Sequence, residues 1–102
     1  MYQAVLKASE RDLDQLATLF RVLGDRTRIQ ILLSLVDGEK NVSAICEHLK
    51  LPQPTVSHHL SLLRMNNIVA CRRNGKQVFY GLEGRVEKDE QQGLVLSVQN
   101  LN

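Results

Sequence analysis

The stretch Leu51–Leu63, "LPQPTVSHHLSLL", decides how the chain is read. Two prolines, Pro52 and Pro54, open it, and Val56, Leu60 and Leu63 follow as an apolar stripe at helical spacing. Pro54 suits the first turn of a helix, where a missing N–H costs nothing. The pattern predicts a helix from about Gln53 to Asn66. Between its apolar positions lie Gln53, Thr55, Ser57, His58 and Ser61, all hydrogen-bonding and, with the histidine neutral, none charged. A solvated helix face is ordinarily charged. A face of short donors and acceptors suits base edges in the major groove of DNA, which is about 12 Å wide and admits one α-helix.

Immediately upstream, Val42, Ile45, Cys46 and Leu49 recur at i, i+3, i+4 and i+7, predicting a short helix over about 42–50 that stops at the "LPQP" break. Further upstream, "ERDLDQLATLFRVL" (residues 10–23) puts Leu13, Leu16, Ala17, Phe20 and Leu23 at helical spacing. Its acids, Glu10, Asp12 and Asp14, suit the positive end of a helix. Gly24 ends that helix, and Asp25 stands where it can cap a second one, "RTRIQILLSLV", expected to turn Ile29, Leu32, Leu33 and Val36 inward. "DGEK" (residues 37–40) reads as a turn.

Downstream, the apolar period changes from 3.6 to 2 in "IVACRRNGKQVFYGL" (residues 68–82). Asn74-Gly75 is a strong two-residue hairpin signal, and folding about it pairs Arg73 with Lys76, Cys71 with Val78 and Val69 with Tyr80. The tip is then basic and the stem apolar on one side. In the tail, Leu94, Val98 and Leu101 would share a helix face, and a fifth helix is the expectation there. Gly93, Val95 and Val98 weigh against it. The order α-α-α-α-β-β-α describes a mainly α fold with a small β-hairpin, a winged helix-turn-helix. It is expected as a single domain over residues 1–102, with a core spanning 10–82.

Charge points the same way. Residues 1–47 hold six basic and seven acidic groups, and residues 83–102 hold two basic and four acidic. Between them, residues 48–82 carry Lys50, Arg64, Arg72, Arg73 and Lys76 with no acid at all. A basic segment flanked by acidic ones is the footprint of a polyanion-binding surface. On this reading Gln53, Thr55, Ser57, His58 and Ser61 face the groove of double-stranded DNA. Lys50, Arg64 and the wing residues Arg72, Arg73 and Lys76 fix the phosphates.

Length and composition set the remaining bounds. A chain of 102 residues, 43% hydrophobic and 24% charged, suits one globular domain. No apolar run approaches the ~20 residues of a membrane span, so no membrane partner is expected. No secretory signal is visible at the N-terminus. Two cysteines are too few for a disulfide framework and fit a reducing, cytoplasmic setting. No Gly-rich phosphate loop or nucleophile with a suitably spaced base suggests an enzyme, and no cofactor is expected. Ser57 and His58 are adjacent on a helix and diverge by about 100°. The competing class is a winged-helix module for protein contacts, which has no need of an acid-free reading face.

The segments "LFRVLGDRTRIQILLSL", "LPQPTVSHHLSLLRMNNIV" and "RRNGKQVFYGL" resemble the ArsR/SmtB family of bacterial winged-helix repressors over roughly residues 13–82. The resemblance implies a homodimer on a two-fold operator, released by a signal, with Gln53, Thr55, Ser57 and His58 at the DNA. It also implies that the first and last helices form the dimer interface. The residues expected there are Leu13, Leu16 and Phe20, with Leu94, Val98 and Leu101 from the tail at 83–102.

Many members of that family sense metals. Aligned on the Leu-x-Gln-Pro turn, the positions of the usual Cys-x-Cys site are Asn41 and Ser43, and those of the usual C-terminal site are Gly84 and Val86. None supplies the thiolate or imidazole that a borderline metal needs. The acids Glu83, Glu87, Asp89 and Glu90 read as a solvated run, so no metal site is expected and the effector is left open. Cys46 falls on the apolar stripe of its helix, where it cannot face His48 two residues on. Cys71 shares a strand face with Val69, Val78 and Tyr80, so both thiols are expected to pack inward; Cys71, beside Arg72, is the better redox candidate. His59, at the edge of the apolar stripe, is expected to pack or to make an intramolecular hydrogen bond, and His48 to lie on the surface.

Overall fold

The computed structural model describes residues 10–83, 86–89, 91 and 93–96. Four helices come first: α1 (Glu10–Leu23), α2 (Arg26–Ser34), α3 (Val42–Leu49) and α4 (Gln53–Met65). A short strand, β1 (Lys40–Asn41), lies between α2 and α3. The wing is β2 (Val69–Asn74) and β3 (Gln77–Leu82), and β4 (Val86–Asp89) and β5 (Gly93–Leu96) form a separate two-stranded sheet.

The helices begin and end where local chemistry dictates. Asp25 caps α2 by accepting from the backbone N–H groups of Thr27 (2.9 Å) and Arg28 (3.2 Å). Asn41 caps α3 by accepting from Ala44 N at 2.8 Å. At the far end of α4, Asn67 adopts a left-handed φ of 59°. Its N–H donates to Arg64 O (3.0 Å), and that of Ile68 donates to Leu63 O (2.9 Å). These are the two bonds of a Schellman stop, and its hydrophobic partners Leu63 and Ile68 are both fully buried.

The core is one cluster to which every helix contributes, including Leu19 from α1, Ile31 and Leu32 from α2, Ile45 from α3, and Val56, Leu60 and Leu63 from α4. Each of the last three is 0% exposed. Burying side chains of this size contributes roughly 1.5–3 kcal/mol apiece, so the inward stripe holds α4 firmly and leaves its other face free.

Several expectations are corrected. In α2, Ile29 and Leu33 are exposed and the inward apolar residues are Ile31 and Leu32, followed by Leu35 at the C-cap; from Ile29 to Val36 only Gln30 and Ser34 are polar, so periodicity alone could not orient the helix. Leu16 is buried in the core and is not available to a partner. Part of the "DGEK" turn becomes β1, which adds a third strand to the wing through the antiparallel pairs Lys40↔Tyr80 and Asn41↔Phe79.

The hairpin itself turns at Gly75-Lys76, with Asn74 opposite Gln77, Cys71 opposite Tyr80 and Val69 opposite Leu82. Of the two turn residues only Gly75 has positive φ, at 65°. That satisfies a Gly-X turn and frees Asn74 to pair in the ladder. The shift moves each partner by two residues, so it preserves which side chains share a face.

The expected fifth helix is replaced by the antiparallel pair β4–β5, with Val86 opposite Leu96 and Lys88 opposite Leu94. Val86 and Val95 favour strand, Gly93 is a poor helix former, and the buried Val86 joins the core. Leu94 therefore lies on a strand, while Val98 and Leu101 fall outside the described residues.

Candidate nucleic-acid interface

The surface is built from the break between α3 and α4. Lys50 closes α3 in a left-handed conformation (φ 57°), and Leu51 N donates back to Cys46 O at 3.1 Å. Pro52 then leads into α4 with extended backbone, and its carbonyl accepts from Val56 N at 3.2 Å. No side chain caps α4. The N–H groups of its first turn are thereby left to solvent or to an anion.

Along α4, Gln53, His58, Ser61 and Arg64 are exposed, and Thr55 and Ser57 are half-buried. Ser61 Oγ donates to Ser57 O at 3.0 Å, which leaves its lone pairs as acceptors. Lys50 is exposed at the turn, and Arg73 and Lys76 are exposed on the wing. One set of elements thus brings together short uncharged groups and exposed cations.

Arg72 has a different setting. Its Nε and Nη2 donate to Glu39 Oε1 at 3.1 and 3.0 Å, and its guanidinium lies 5.2 Å from the centre of the Phe79 ring. Sequence reading grouped it with the free wing cations and missed Glu39 and Phe79. The missed signal is β1, which is only two residues long and invisible to periodicity.

His59 accepts from Arg28 Nε through Nδ1 at 3.2 Å, and Arg28 Nη1 donates to Val22 O at 3.0 Å. One guanidinium thereby ties the end of α1, the start of α2 and the middle of α4. Asp25, at the same junction, has its carboxyl held below the ordinary range, chiefly by the N–H of Arg28. His58 meets His59 edge-on, with ring centroids 5.6 Å apart.

The positions of the family's usual metal sites do not fit a metal here. Asn41 spends its side-chain oxygen on the α3 cap, and Ser43 is exposed. Val86 is buried among apolar side chains, and Gly84 lies outside the described residues, as do Glu90 and the side chains of Glu87 and Asp89. Among the described residues no three His, Cys, Asp or Glu side chains cluster as a metal site. Cys46 and Cys71 are both half-buried free thiols, and His48 is exposed. No described helix is long and apolar enough to cross a membrane.

Residues 25–70, from the α2 cap to the start of the wing, match the family described as bacterial regulatory protein, arsR family. The chain is 34% identical over 88 residues to the arsenical resistance operon repressor of Staphylococcus aureus, covering 86% of this chain and 78% of that one. The chain belongs to the ArsR family. This ArsR-family protein is also 48% identical over 65 residues to the HTH-type transcriptional regulator KmtR of Mycobacterium tuberculosis, a match covering 64% of this chain and 50% of KmtR. It thus spans half of KmtR's length. Among solved structures, it resembles the homodimeric winged helix-turn-helix DNA-binding domain of Mb0332 from Mycobacterium bovis, a possible ArsR-family regulator. That resemblance has a TM-score of 0.69 at 32% identity and covers 78% of this chain and 77% of the other.

Proposed function

We propose that this ArsR-family chain is a homodimeric transcriptional repressor that binds a two-fold symmetric operator and leaves it on receipt of a signal. The observation that carries the reading is the outward face of α4. Its exposed side chains Gln53, His58 and Ser61 are uncharged hydrogen-bonding groups, with the cation Arg64 beyond them, while the stripe behind them is 0% exposed at Val56, Leu60 and Leu63. In this reading Gln53, Thr55, Ser57, His58 and Ser61 face base edges and the first-turn phosphate. Lys50, Arg64, Arg73 and Lys76 hold the flanking backbone. A single DNA-binding domain over residues 1–102, working in the cytoplasm as a regulator and not as an enzyme, completes it.

The homodimer is supported by the chemistry of α1. Leu13 (48% exposed) and Phe20 (51%) share an outer helix face with Ala17, and large apolar side chains left in water mark a protein partner. Since the usual metal positions carry no suitable ligands, the releasing signal is one that does not use them.

Selection of bound duplexes from a random DNA pool tests the reading. The expected product is an inverted repeat with half-sites about one helical turn apart. Affinity for it should fall steeply with added salt as phosphate contacts displace counterions. A pool that shows no enriched sequence overturns the proposal.

A further inference from the structure

We infer that Arg72 is a positioning residue of the wing: it braces β2, across β3, against Glu39 at the head of β1, and does not hold DNA phosphate. The inference deepens the DNA-binding reading above and rests on it.

Strand register makes the brace. Arg72 is opposite Phe79 in the β2–β3 pair, and Asn41 is opposite Phe79 in the β1–β3 pair. Side chains directly opposite one another share a face, and neighbours along a strand alternate. Glu39, one residue before Lys40, therefore lies on the same face as Phe79, Gly81 and Arg72. The contacts follow from this placement: two N–H groups of Arg72 meet Glu39 Oε1, and the guanidinium lies near the Phe79 ring midway between them. Gly81 supplies the room. A Cβ there would stand 3.1 Å from Glu39 Cγ, tighter than ordinary contact, so any larger residue would push the carboxylate away.

The brace has a definite mechanical target. β1 runs directly into Asn41, the cap of α3, so holding β2 to Glu39 ties the wing to the helix-turn-helix. Arg73, the next residue, points to the opposite face and makes no ion pair among the described residues. Two adjacent arginines therefore have different jobs.

The electrostatics agree. An exposed ion pair alone contributes little, but here one planar group satisfies a carboxylate and covers a ring at once. Were a phosphate to take Arg72, it would leave the Glu39 carboxylate unpaired beside a polyanion.

The test is the salt dependence of binding to a fluorescently labelled duplex carrying the selected sequence, with a mixed-sequence duplex as control. Arg73→Ala should reduce the slope of log K against log salt by about 1.8, the loss of one phosphate contact in each half-site of the dimer. Arg72→Ala should leave the slope at the wild-type value and weaken binding to the selected sequence roughly twofold or more, as expected for a coupled contact. Glu39→Gln should weaken it similarly, and the double variant should be no worse than either single one. A slope reduced in Arg72→Ala, or tighter binding by Glu39→Gln, overturns the brace and returns Arg72 to the phosphates. A flat salt response in the unaltered protein overturns the DNA-binding reading itself.

Discussion

Two helical surfaces of this molecule face solvent with opposite chemistry. On α1 and α2, the large apolar side chains Leu13, Phe20, Ile29 and Leu33 are each between 42% and 52% exposed. On α4, the exposed positions are mostly polar, Gln53, His58, Ser61 and Arg64, with Pro54 at the first turn and Met65 (77% exposed) at the last residue, over a stripe that is wholly buried. The first surface is costly to leave in water and is satisfied by another apolar surface. The second is well hydrated alone and gains only from a partner that matches its hydrogen bonds one by one. In the function proposed above, the difference separates a surface for assembly from a surface for reading.

The sharpest way to break this division is Phe20→Glu. If α1 carries the assembly surface, the variant should sediment as a monomer at micromolar concentration. It should lose about 10²–10⁴-fold in operator affinity, because two half-sites are no longer bound by one particle. A variant that stays dimeric moves the interface off this face. Next comes the support beneath the reading face. Leu60→Ala should cost about 2–5 kcal/mol in urea unfolding, and a cost under ~1 kcal/mol would mean that α4 is anchored otherwise.

Smaller effects test the reading face itself. Ser57→Ala and His58→Ala should each reduce discrimination between operator and mixed-sequence DNA by about 1–3 kcal/mol with little change in non-specific affinity. Equal losses on both duplexes would move these residues to the phosphates. The smallest effect concerns neither surface but the junction behind both. Asp25 has a folded-state pKa below its unfolded value, so its contribution is present above about pH 4 and fades as pH falls through the lower, folded value. Asp25→Asn keeps a cap but cannot titrate. Its unfolding midpoint should be less acid-sensitive below about pH 4 than that of the unaltered protein, and identical acid profiles would assign the sensitivity to other carboxylates.

The reading face was legible because two independent signals coincide there. The prolines and the Val56–Leu60–Leu63 stripe orient α4, and composition then marks what faces out. α2 shows the limit of that method: from Ile29 to Val36 only Gln30 and Ser34 are polar, so only packing could decide that Ile31 and Leu32 go in and Ile29 and Leu33 go out. The tail shows another. Leu94 recurs at helical spacing, yet Val86, Gly93 and Val95 carry strand and turn preferences, and the pairing of β4 with β5 prevails. The contact of Arg72 with Glu39 was not legible for a third reason. Its partner lies 33 residues earlier, and nothing local announces a long-range contact.

The two left-handed residues that bound the reading helix, Lys50 and Asn67, have an evolutionary consequence. They fix where α4 enters and leaves, and the buried stripe fixes its rotation, so the exposed positions between them carry little of the fold. In the function proposed above, substitutions at the exposed Gln53, His58 and Ser61 can therefore change which DNA is read without first having to be compensated for stability. On that reading the helix is a replaceable reading head on a fixed mount, and one architecture can drift among many operators.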